Sequence, residues 1–519
     1  MADSWGDAEG NREEHLLAVI VPVLEGRDSP FPRLSQSLSR QSMANFTVIL
    51  VGPDVAVPDN GEGGIARVQA EGTLAACIDA AIASTSATYV MVAEGDGEFV
   101  LAGVKALREA LAADPFDTIY GDELVERGRS QIVLAKPDYS PERLRCQNYY
   151  GNAVFYRTDF LRAMGGVDAG LPGAEMYDLA LRSARSGAKV GHVRESLFLL
   201  PEGAPKFGSL SSSIELKSTR RALSEHLSMT GGGSVEMVSE TGVHRTHRTV
   251  VGDPLVSIVI PSRGSFGKVR GEERSLVVEC VRSILEKSTY LNFELLVVLD
   301  TVGDEKSLAM LRSIEDDRVR IVYWNRPFSF SEKVNFGVFA SRGDFVLFLN
   351  DDTEVISPGW IEPMLALCQM KNAGMAGAML YFEDDSIQHA GHLYLGGSAG
   401  HAGTNDNRGS AGPLSSYLVE REVSGVTAAC SLMPRSVFDQ VGGFSPLLPG
   451  NFNDVDLCMK VGQLGFNIYW TPNSELYHYE SKSRQPRVAR YEREIAWNRW
   501  EWKLDDPTYW PYGSAVTLE

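Results

Sequence analysis

The chain repeats one pattern of strands and helices. A strand-like run that ends in proline occurs at residues 17–22 and again at residues 256–261. Further apolar runs of strand length follow in the same order in each half, with helix-like segments between them. Because strands that alternate with helices pair in parallel, the pattern predicts an α/β fold of two tandem Rossmann-like domains, each with a mostly parallel sheet.

Two later matches relate the copies to each other. The Gly-Gly turn at 165–166 corresponds to the one at 442–443, and residues 177–179 correspond to residues 455–457. The second match sets an offset of 278 positions, the difference between 456 and 178. In this register Asp454 falls opposite Met176.

The repeat and the Ser- and Gly-rich pieces between its copies predict the domain organisation. We expect a disordered N-terminus (1–14), a first domain (15–200), a linker with a short helix (201–252), a second domain (253–480) and a helical tail (481–519). Within the linker, the sequence also predicts a short strand pair between residues 234 and 250.

A hydrophobic strand in the second half ends in two carboxylates. Residues 345–349 are apolar, and Asp351 and Asp352 follow almost at once. In open α/β sheets ligands bind at the carboxyl ends of the strands, and oxygen ligands favour Mg²⁺ or Mn²⁺. The pattern predicts a divalent metal that carries a diphosphate; the alternative is a surface turn that caps the strand.

A second acidic cluster follows the Gly-Gly turn of the second half. Asp454 and Asp456 alternate with Val455 and Leu457, so a helix start is predicted if the apolar pair faces a core. Carboxylates suit the first turn of a helix because they face free N–H groups and the positive end of the dipole. Helix capping alone is therefore the structural alternative to a functional role.

Composition limits the classes of protein that fit. The net charge of −19 argues against nucleic acid as a partner, because a protein that binds the phosphate backbone needs a basic face. The six cysteines have no short paired spacing, which argues against a zinc site and a disulfide framework. A reducing cytoplasm fits this pattern.

We expect neither a secretory signal nor a membrane-spanning segment. Residues 1–14 are polar and acidic, and no apolar run approaches the ~20 residues of a spanning helix. We expect a cytoplasmic protein whose membrane contact, if any, is peripheral and on the cytosolic face of the inner membrane.

Ten segments carry a family resemblance. In the second half they are 256–261 (VSIVIP), Asp300, 349–355 (LNDDTEV), 388–391 (QHAG), 441–444 (VGGF), 453–458 (NDVDLC) and 477–481 (YHYES), and in the first half 136–141 (KPDYSP), 148–151 (NYYG) and 173–179 (GAEMYDL). On these motifs the second half resembles family 2 glycosyltransferases of the GT-A fold, which build bacterial O-antigen and rhamnose-rich surface polysaccharides. The first half is similar to the leading domain of two-domain members.

The resemblance implies an inverting enzyme. It would move a hexosyl or rhamnosyl group from a nucleotide-diphosphate sugar to a hydroxyl of a glycan or lipid-linked oligosaccharide. Asp454 would be the general base, and Asp352 and His478 would bind the divalent metal. The nucleotide and diphosphate would be held by Pro261, Ser262, Arg263, Asp300, Lys333 and Asp351.

Three polar residues lie where the family places loops that face the acceptor: Gln388, His389 and His392. The alternative for them is a polar loop without substrate contact.

The first half departs from the family pattern. It has Glu94-Gly95-Asp96 at the strand end, and Met176 cannot accept a proton. We therefore predict a silent first domain that acts as a scaffold, docks another polysaccharide-assembly enzyme or holds the growing glycan. The alternative is a bifunctional transferase, because several acids remain: Asp96, Glu98, Asp122 and Glu123.

Other functions stay open on the sequence alone. A sugar-nucleotide pyrophosphorylase would need a glycine-rich phosphate loop with a basic residue after its first strand, and residues 261–264 fall short of that. A non-catalytic glycan-binding or scaffold protein is the other rival. The donor sugar and base, the acceptor, the linkage and the oligomeric state are not encoded in residue types.

The tail combines basic and tryptophan residues between 482 and 503. Such a segment suits an anionic lipid surface. The alternative is a helix that packs on its own domain with its tryptophans inward, which the glutamates of the tail favour.

Overall fold

The computed structural model describes residues 16–23, 31–41, 46–53, 65–93, 97–203, 210–480, 488–510 and 517–518. The predicted disordered N-terminus, the acids predicted at 94–96 and the start of the tail at 481–487 lie outside the described residues.

The first half forms a mixed sheet flanked by helices. Its strands are β1 (Leu17–Pro22), β2 (Phe46–Gly52), β3 (Ile65–Gln69), β4 (Tyr89–Val92), β5 (Glu98–Phe99), β6 (Thr118–Arg127), β7 (Ser130–Leu134), β8 (Val154–Arg157) and β9 (Val190–Leu200). Its helices are α1 (Phe31–Ser39), α2 (Leu74–Ser84), α3 (Gly103–Ala113), α4 (Pro141–Cys146), α5 (Thr158–Ala163) and α6 (Glu175–Arg185). The strand order is β7-β6-β8-β4-β1-β2-β3, and β9 pairs with β6.

The linker contains the predicted helix and strand pair. Helix α7 (Ser213–Met229) begins with a capping box in which Ser212 and Glu215 satisfy each other's backbone N–H groups. Strands β10 (Gly233–Met237) and β11 (Arg245–Arg248) pair antiparallel.

The second half repeats the architecture. Its strands are β12 (Val256–Ser262), β13 (Phe266–Val269), β14 (Glu272–Ser275), β15 (Phe293–Asp300), β16 (Val319–Trp324), β17 (Phe345–Leu349), β18 (Thr353–Val355), β19 (Ala373–Tyr381), β20 (Ile387–His389), β21 (His392–Leu395), β22 (Ser398–His401), β23 (Arg421–Glu422), β24 (Cys430–Pro434) and β25 (Asn467–His478). Its helices are α8 (Leu276–Lys287), α9 (Glu305–Arg312), α10 (Phe330–Ala340), α11 (Ile361–Cys368), α12 (Arg435–Val441) and α13 (Asn453–Gln463).

The two sheets have the same strand order. The second runs β16-β15-β12-β17-β24-β19-β25, which matches β3-β2-β1-β4-β8-β6-β9 strand for strand. In both, three neighbouring pairs are parallel, and the strand after them joins antiparallel. Helices α6 and α13 begin and end at positions that differ by 278, the predicted offset. The structure thus confirms the α/β fold and the internal repeat.

The C-terminal segment contacts both halves. Helix α14 (Arg490–Trp500) packs on α13, and strand β26 (Thr517–Leu518) adds to the first sheet antiparallel to β7. The predicted helical tail therefore also contains a strand. None of the described helices combines the length and the apolar composition that a bilayer crossing requires.

Candidate active site

A cavity of about 550 Å³ opens at the C-terminal ends of β12 and β17. Its lining includes eight of the nine predicted site residues: Pro261, Ser262, Arg263, Lys333, Asp351, Asp352, Asp454 and His478. The ninth, Asp300, ends the neighbouring strand β15 and contacts Lys333. The two acidic clusters, about 100 positions apart in the chain, therefore share one cavity.

The end of β17 holds a buried carboxyl group. β17 is almost wholly buried, and the chain then turns so that Asp351 lies against β12. Ser262 donates its hydroxyl hydrogen to Asp351 Oδ2 at 2.5 Å. Burial and the charge of Asp352 raise the pKa of Asp351 to about 7. Positive charge from a ligand in the cavity would favour its ionised form.

Asp352 and His478 form a buried polar pair in the cavity. Strands β18 and β25 pair antiparallel with Thr353 opposite His478, which brings Asp352 Oδ1 to 3.2 Å from His478 Nε2. Burial lowers the pKa of His478, but the charge and the hydrogen bond of Asp352 outweigh it, so the pKa lies above its usual value.

Gln388 sets the orientation of His478. Its side-chain NH₂ donates to the carbonyl of His478 and to Glu480, both at 3.3 Å, so its Oε1 must be an acceptor. That oxygen lies 2.7 Å from His478 Nδ1, which therefore carries a proton. When the ring is neutral, its Nε2 lone pair points towards Asp352 and towards Asn350 Nδ2, which lies 3.0 Å away.

This arrangement fits a divalent ion. A carboxylate oxygen and an imidazole Nε2 that lie 3.2 Å apart can bind one ion together. The hydrogen bond from Nδ1–H to an amide oxygen is the usual outer support of a metal-binding histidine. Sequence reasoning placed Gln388 among acceptor-facing residues and missed this role, because no local pattern pairs residue 388 with residue 478.

Lys333 and Asp300 form a second polar pair at the edge of the cavity. Lys333 is only 1% exposed, and its Nζ donates to Asp300 Oδ1 and to the carbonyl of Ser262, both at 2.7 Å. Burial lowers the pKa of Lys333, against the opposing effect of Asp300. Arg263 is half-exposed and lies 3.9 Å from Asp300. These side chains connect β12, β15 and α10 around one corner of the cavity.

Asp454 lies on another wall, in the first turn of α13. Asp454 Oδ1 accepts from the N–H of Val455 at 2.9 Å, and Asp454 Oδ2 accepts from the N–H of Ala428 at 3.3 Å. About a fifth of the side chain remains exposed, at 19%. The predicted helix start is confirmed, but Phe452, not an acid, occupies the N-cap position.

Three histidines stand beside Asp454. His389, His392 and His401 could each direct a ring nitrogen to within 4.8 Å of the others, and His392 Nε2 lies 3.9 Å from Asp454 Oδ2. His389 Nε2 accepts from Thr427 N–H at 3.3 Å, so its Nδ1 carries the proton and donates to His401 Nδ1 at 2.9 Å. Burial lowers the pKa of all three. His392 Nδ1 instead lies 3.1 Å from the hydroxyl of Tyr394. His401 was not predicted.

In the first half, the residues at the equivalent positions make contacts within the fold. Met176 on α6 packs partly buried in the core. Glu123 lies 3.2 Å from the buried Lys136 and accepts from the N–H groups of Asn152 and Ala153. Asp122 accepts from Lys136 N–H and contacts His192. These acids serve the fold of the first half.

The family model of glycosyl transferase family 2 matches residues 257–442. The uncharacterized protein y4gI of Sinorhizobium fredii is 33% identical over 97% of this chain and 58% of that protein. The O-antigen biosynthesis protein RfbC of Myxococcus xanthus is 28% identical over 96% of this chain and 40% of that protein. The chain thus spans about half the length of these relatives.

Two other similarities are more distant. An N-acetylglucosaminyl-diphospho-decaprenol L-rhamnosyltransferase of Mycobacterium tuberculosis is 27% identical over 27% of this chain and 48% of that protein. A crystal structure of GalNAc-T7 with UDP, GalNAc and Mn²⁺ aligns with 49% of this chain and 50% of that chain, at 14% identity and a TM-score of 0.38.

The family match covers β12 and β17, and with them Asp351 and Asp352, whereas Asp454 and His478 lie beyond it. It agrees with the motifs that carry the resemblance of the second half. Residues 257–442 therefore match the model of a glycosyl transferase family 2 domain.

Proposed function

We propose that the chain is an inverting glycosyltransferase of bacterial surface polysaccharide synthesis. It moves a hexosyl or rhamnosyl group from a nucleotide-diphosphate sugar to a hydroxyl of a glycan or lipid-linked acceptor. The observation that carries this proposal is that Asp352 and Asp454 line one cavity. The names of the O-antigen and rhamnosyltransferase relatives support the acceptor class.

The donor side of the site would be built on β12, β15 and β17. Asp352 and His478 would hold Mg²⁺ or Mn²⁺, which when bound neutralises charge on the leaving diphosphate. Pro261, Ser262 and Arg263 would line the nucleotide pocket beside Asp351. Lys333 holds Asp300 in place to accept from a base N–H or a ribose hydroxyl.

Asp454 would act on the acceptor side. Its carboxylate takes the proton of the acceptor hydroxyl while that oxygen bonds to the anomeric carbon, opposite the departing diphosphate. The bond from the anomeric carbon to the diphosphate oxygen breaks, so the configuration inverts. The exposed part of Asp454 and its fixed backbone contacts suit this role.

We further propose that the first half is catalytically silent and supports the second. Met176 stands at the position of Asp454, and Asp122 and Glu123 are engaged in internal contacts. Its surface would serve other polysaccharide-assembly enzymes or the growing glycan, in the cytoplasm or at the cytosolic face of the inner membrane.

The test begins with a screen of nucleotide sugars by thermal shift, with and without Mn²⁺, since a donor that binds the native state stabilises it.

Once the donor is identified, Asp454→Asn should lower the transfer rate by a factor of about 10²–10⁴ and leave donor binding intact. Asp352→Ala should remove the metal-dependent part of the thermal shift. Asp439→Asn, on the exposed face of α12, is the matched control. Full transfer by Asp454→Asn would contradict the proposed base.

A further inference from the structure

The C-terminal helix α14 lies against the segment that presents Asp454. It packs on α13 in a cluster that includes Val455, Met459 and Trp500. Trp497 of the same helix meets the ring of Phe452 edge-on, with 5.5 Å between ring centroids. Its described tryptophans therefore pack on the protein. This agrees with the interpretation of the tail as a helix that packs on its own domain, and not with a lipid-binding segment.

Glu492 of α14 holds the loop before Asp454. The residue is 2% exposed, and its Oε1 accepts from the N–H groups of Gly450 and Asn451 at 2.7 and 2.8 Å. Its Oε2 accepts from Asn451 Nδ2 at 2.7 Å. A carboxylate that accepts several N–H groups makes strong, charge-assisted bonds, which offset the cost of its burial.

This loop needs support from outside itself. Gly450, Asn451 and Phe452 all line the cavity, and Phe452 adopts a left-handed backbone conformation with φ of 57°. That conformation is unfavourable for a residue with a side chain and persists only where surrounding contacts hold it. Asp454 follows two residues later, so a shift of the loop displaces its carboxylate.

The C-terminal end of α14 contacts Asp456, two residues after Asp454. Trp500 Nε1 and Arg499 Nη1 both donate to Asp456 Oδ1 at 2.9 Å. Asp456 is fully buried in the first turn of α13. Contacts from one helix thus bracket Asp454, through the loop before it and the residue two positions after it.

We propose that α14 is part of the catalytic site and that Glu492 is a positioning residue, which fixes Asp454 relative to the acceptor hydroxyl. The inference rests on the proposed function of Asp454. Displacements of about 1 Å in such a group can cost on the order of 10² in rate. Among the described residues, the hydrogen bonds of Glu492 go to Gly450, Asn451 and Ala489 and not to the donor side on β12 and β15, so the effect should appear in turnover and not in donor affinity.

Glu492→Gln tests the proposal. An amide offers one acceptor oxygen, and its NH₂ group would face the NH₂ of Asn451. We expect kcat to fall roughly tenfold or more, with the dissociation constant of the donor within about twofold of wild type. Glu494→Gln is the matched control. It removes the same charge from the same helix, but Glu494 lies in an exposed pair with Arg490.

A second variant covers the case in which Glu492→Gln fails to fold, since Glu492 also accepts from Ala489 N–H at the start of α14. Trp500→Phe keeps a ring in the core and removes the N–H that binds Asp456, and it should lower kcat without weakening donor binding. The proposal is wrong if both variants turn over like Glu494→Gln, or if donor affinity falls in parallel with kcat. If Asp454→Asn itself transfers normally, the proposed function fails instead.

Discussion

At the scale of single residues, the site depends on which ring nitrogen carries a proton. Gln388 accepts from His478 Nδ1, and Thr427 donates to His389 Nε2. In the neutral form of His478 the first bond leaves the lone pair on Nε2, beside Asp352. In His389 the second bond leaves the proton on Nδ1, which donates to His401. Residues of the same type therefore have different chemistry on two sides of one cavity.

Gln388 offers a test of the metal site. Gln388→Leu removes the acceptor of His478 Nδ1–H, so the ring loses its orientation and the affinity for Mn²⁺ should fall about 10- to 100-fold. Titration calorimetry of Mn²⁺ in the presence of a nucleoside diphosphate measures it. Gln440→Leu, on an exposed position of α12, is the control. Equal affinities in the two variants would refute the supporting role.

At the scale of elements, buried charges connect strands of the first sheet. His192 on β9 lies between Asp122 of β6, at 2.9 Å, and Asp138 after β7, at 2.8 Å. Burial lowers the pKa of His192, but its bonds to the two carboxylates prevail, and the pKa lies above 6.5. The pKa of Asp138 lies below its usual value for the converse reason: His192 and Arg194 outweigh its burial.

The raised pKa of His192 predicts how stability depends on pH. Its contribution is fully present below its unfolded value of 6.5 and is lost as the pH rises through the folded pKa. The difference in unfolding free energy between the wild type and His192→Gln should therefore be larger at about pH 6 than at about pH 9. Urea denaturation at both values measures it. A difference that grows with pH would show that the sign is wrong.

At the scale of the whole molecule, the two halves share a buried ionic network. Arg145 on α4 bonds to Glu420 of the second half and lies 2.8 Å from Glu142. Ser140 donates to Glu422 on β23. Because β23 pairs with β25, which ends in His478, the first half supports the same sheet that carries the metal ligand. This is the contact through which a silent half would act as a scaffold.

Removal of Arg145 tests that network. Arg145→Ala leaves carboxylates buried with fewer partners, and we expect the free energy of unfolding to fall by about 3–5 kcal/mol. Arg221→Ala, which breaks an exposed pair with Glu225, should leave it almost unchanged. Urea denaturation compares the two variants. An equal loss in both would mean that the contact between the halves contributes little.

The sequence alone determined features that depend on neighbouring residues: the apolar strands and helices that recur in both halves, their repeat at an offset of 278, and the acids that follow β17 and begin α13. These follow from apolar periodicity, which is local in the chain. The tertiary structure decided the partners, such as Gln388 for His478 and Glu492 for the loop before Asp454. Such hydrogen bonds join residues separated by 90 and about 42 positions, and only the packing of distant elements brings their atoms within bonding distance.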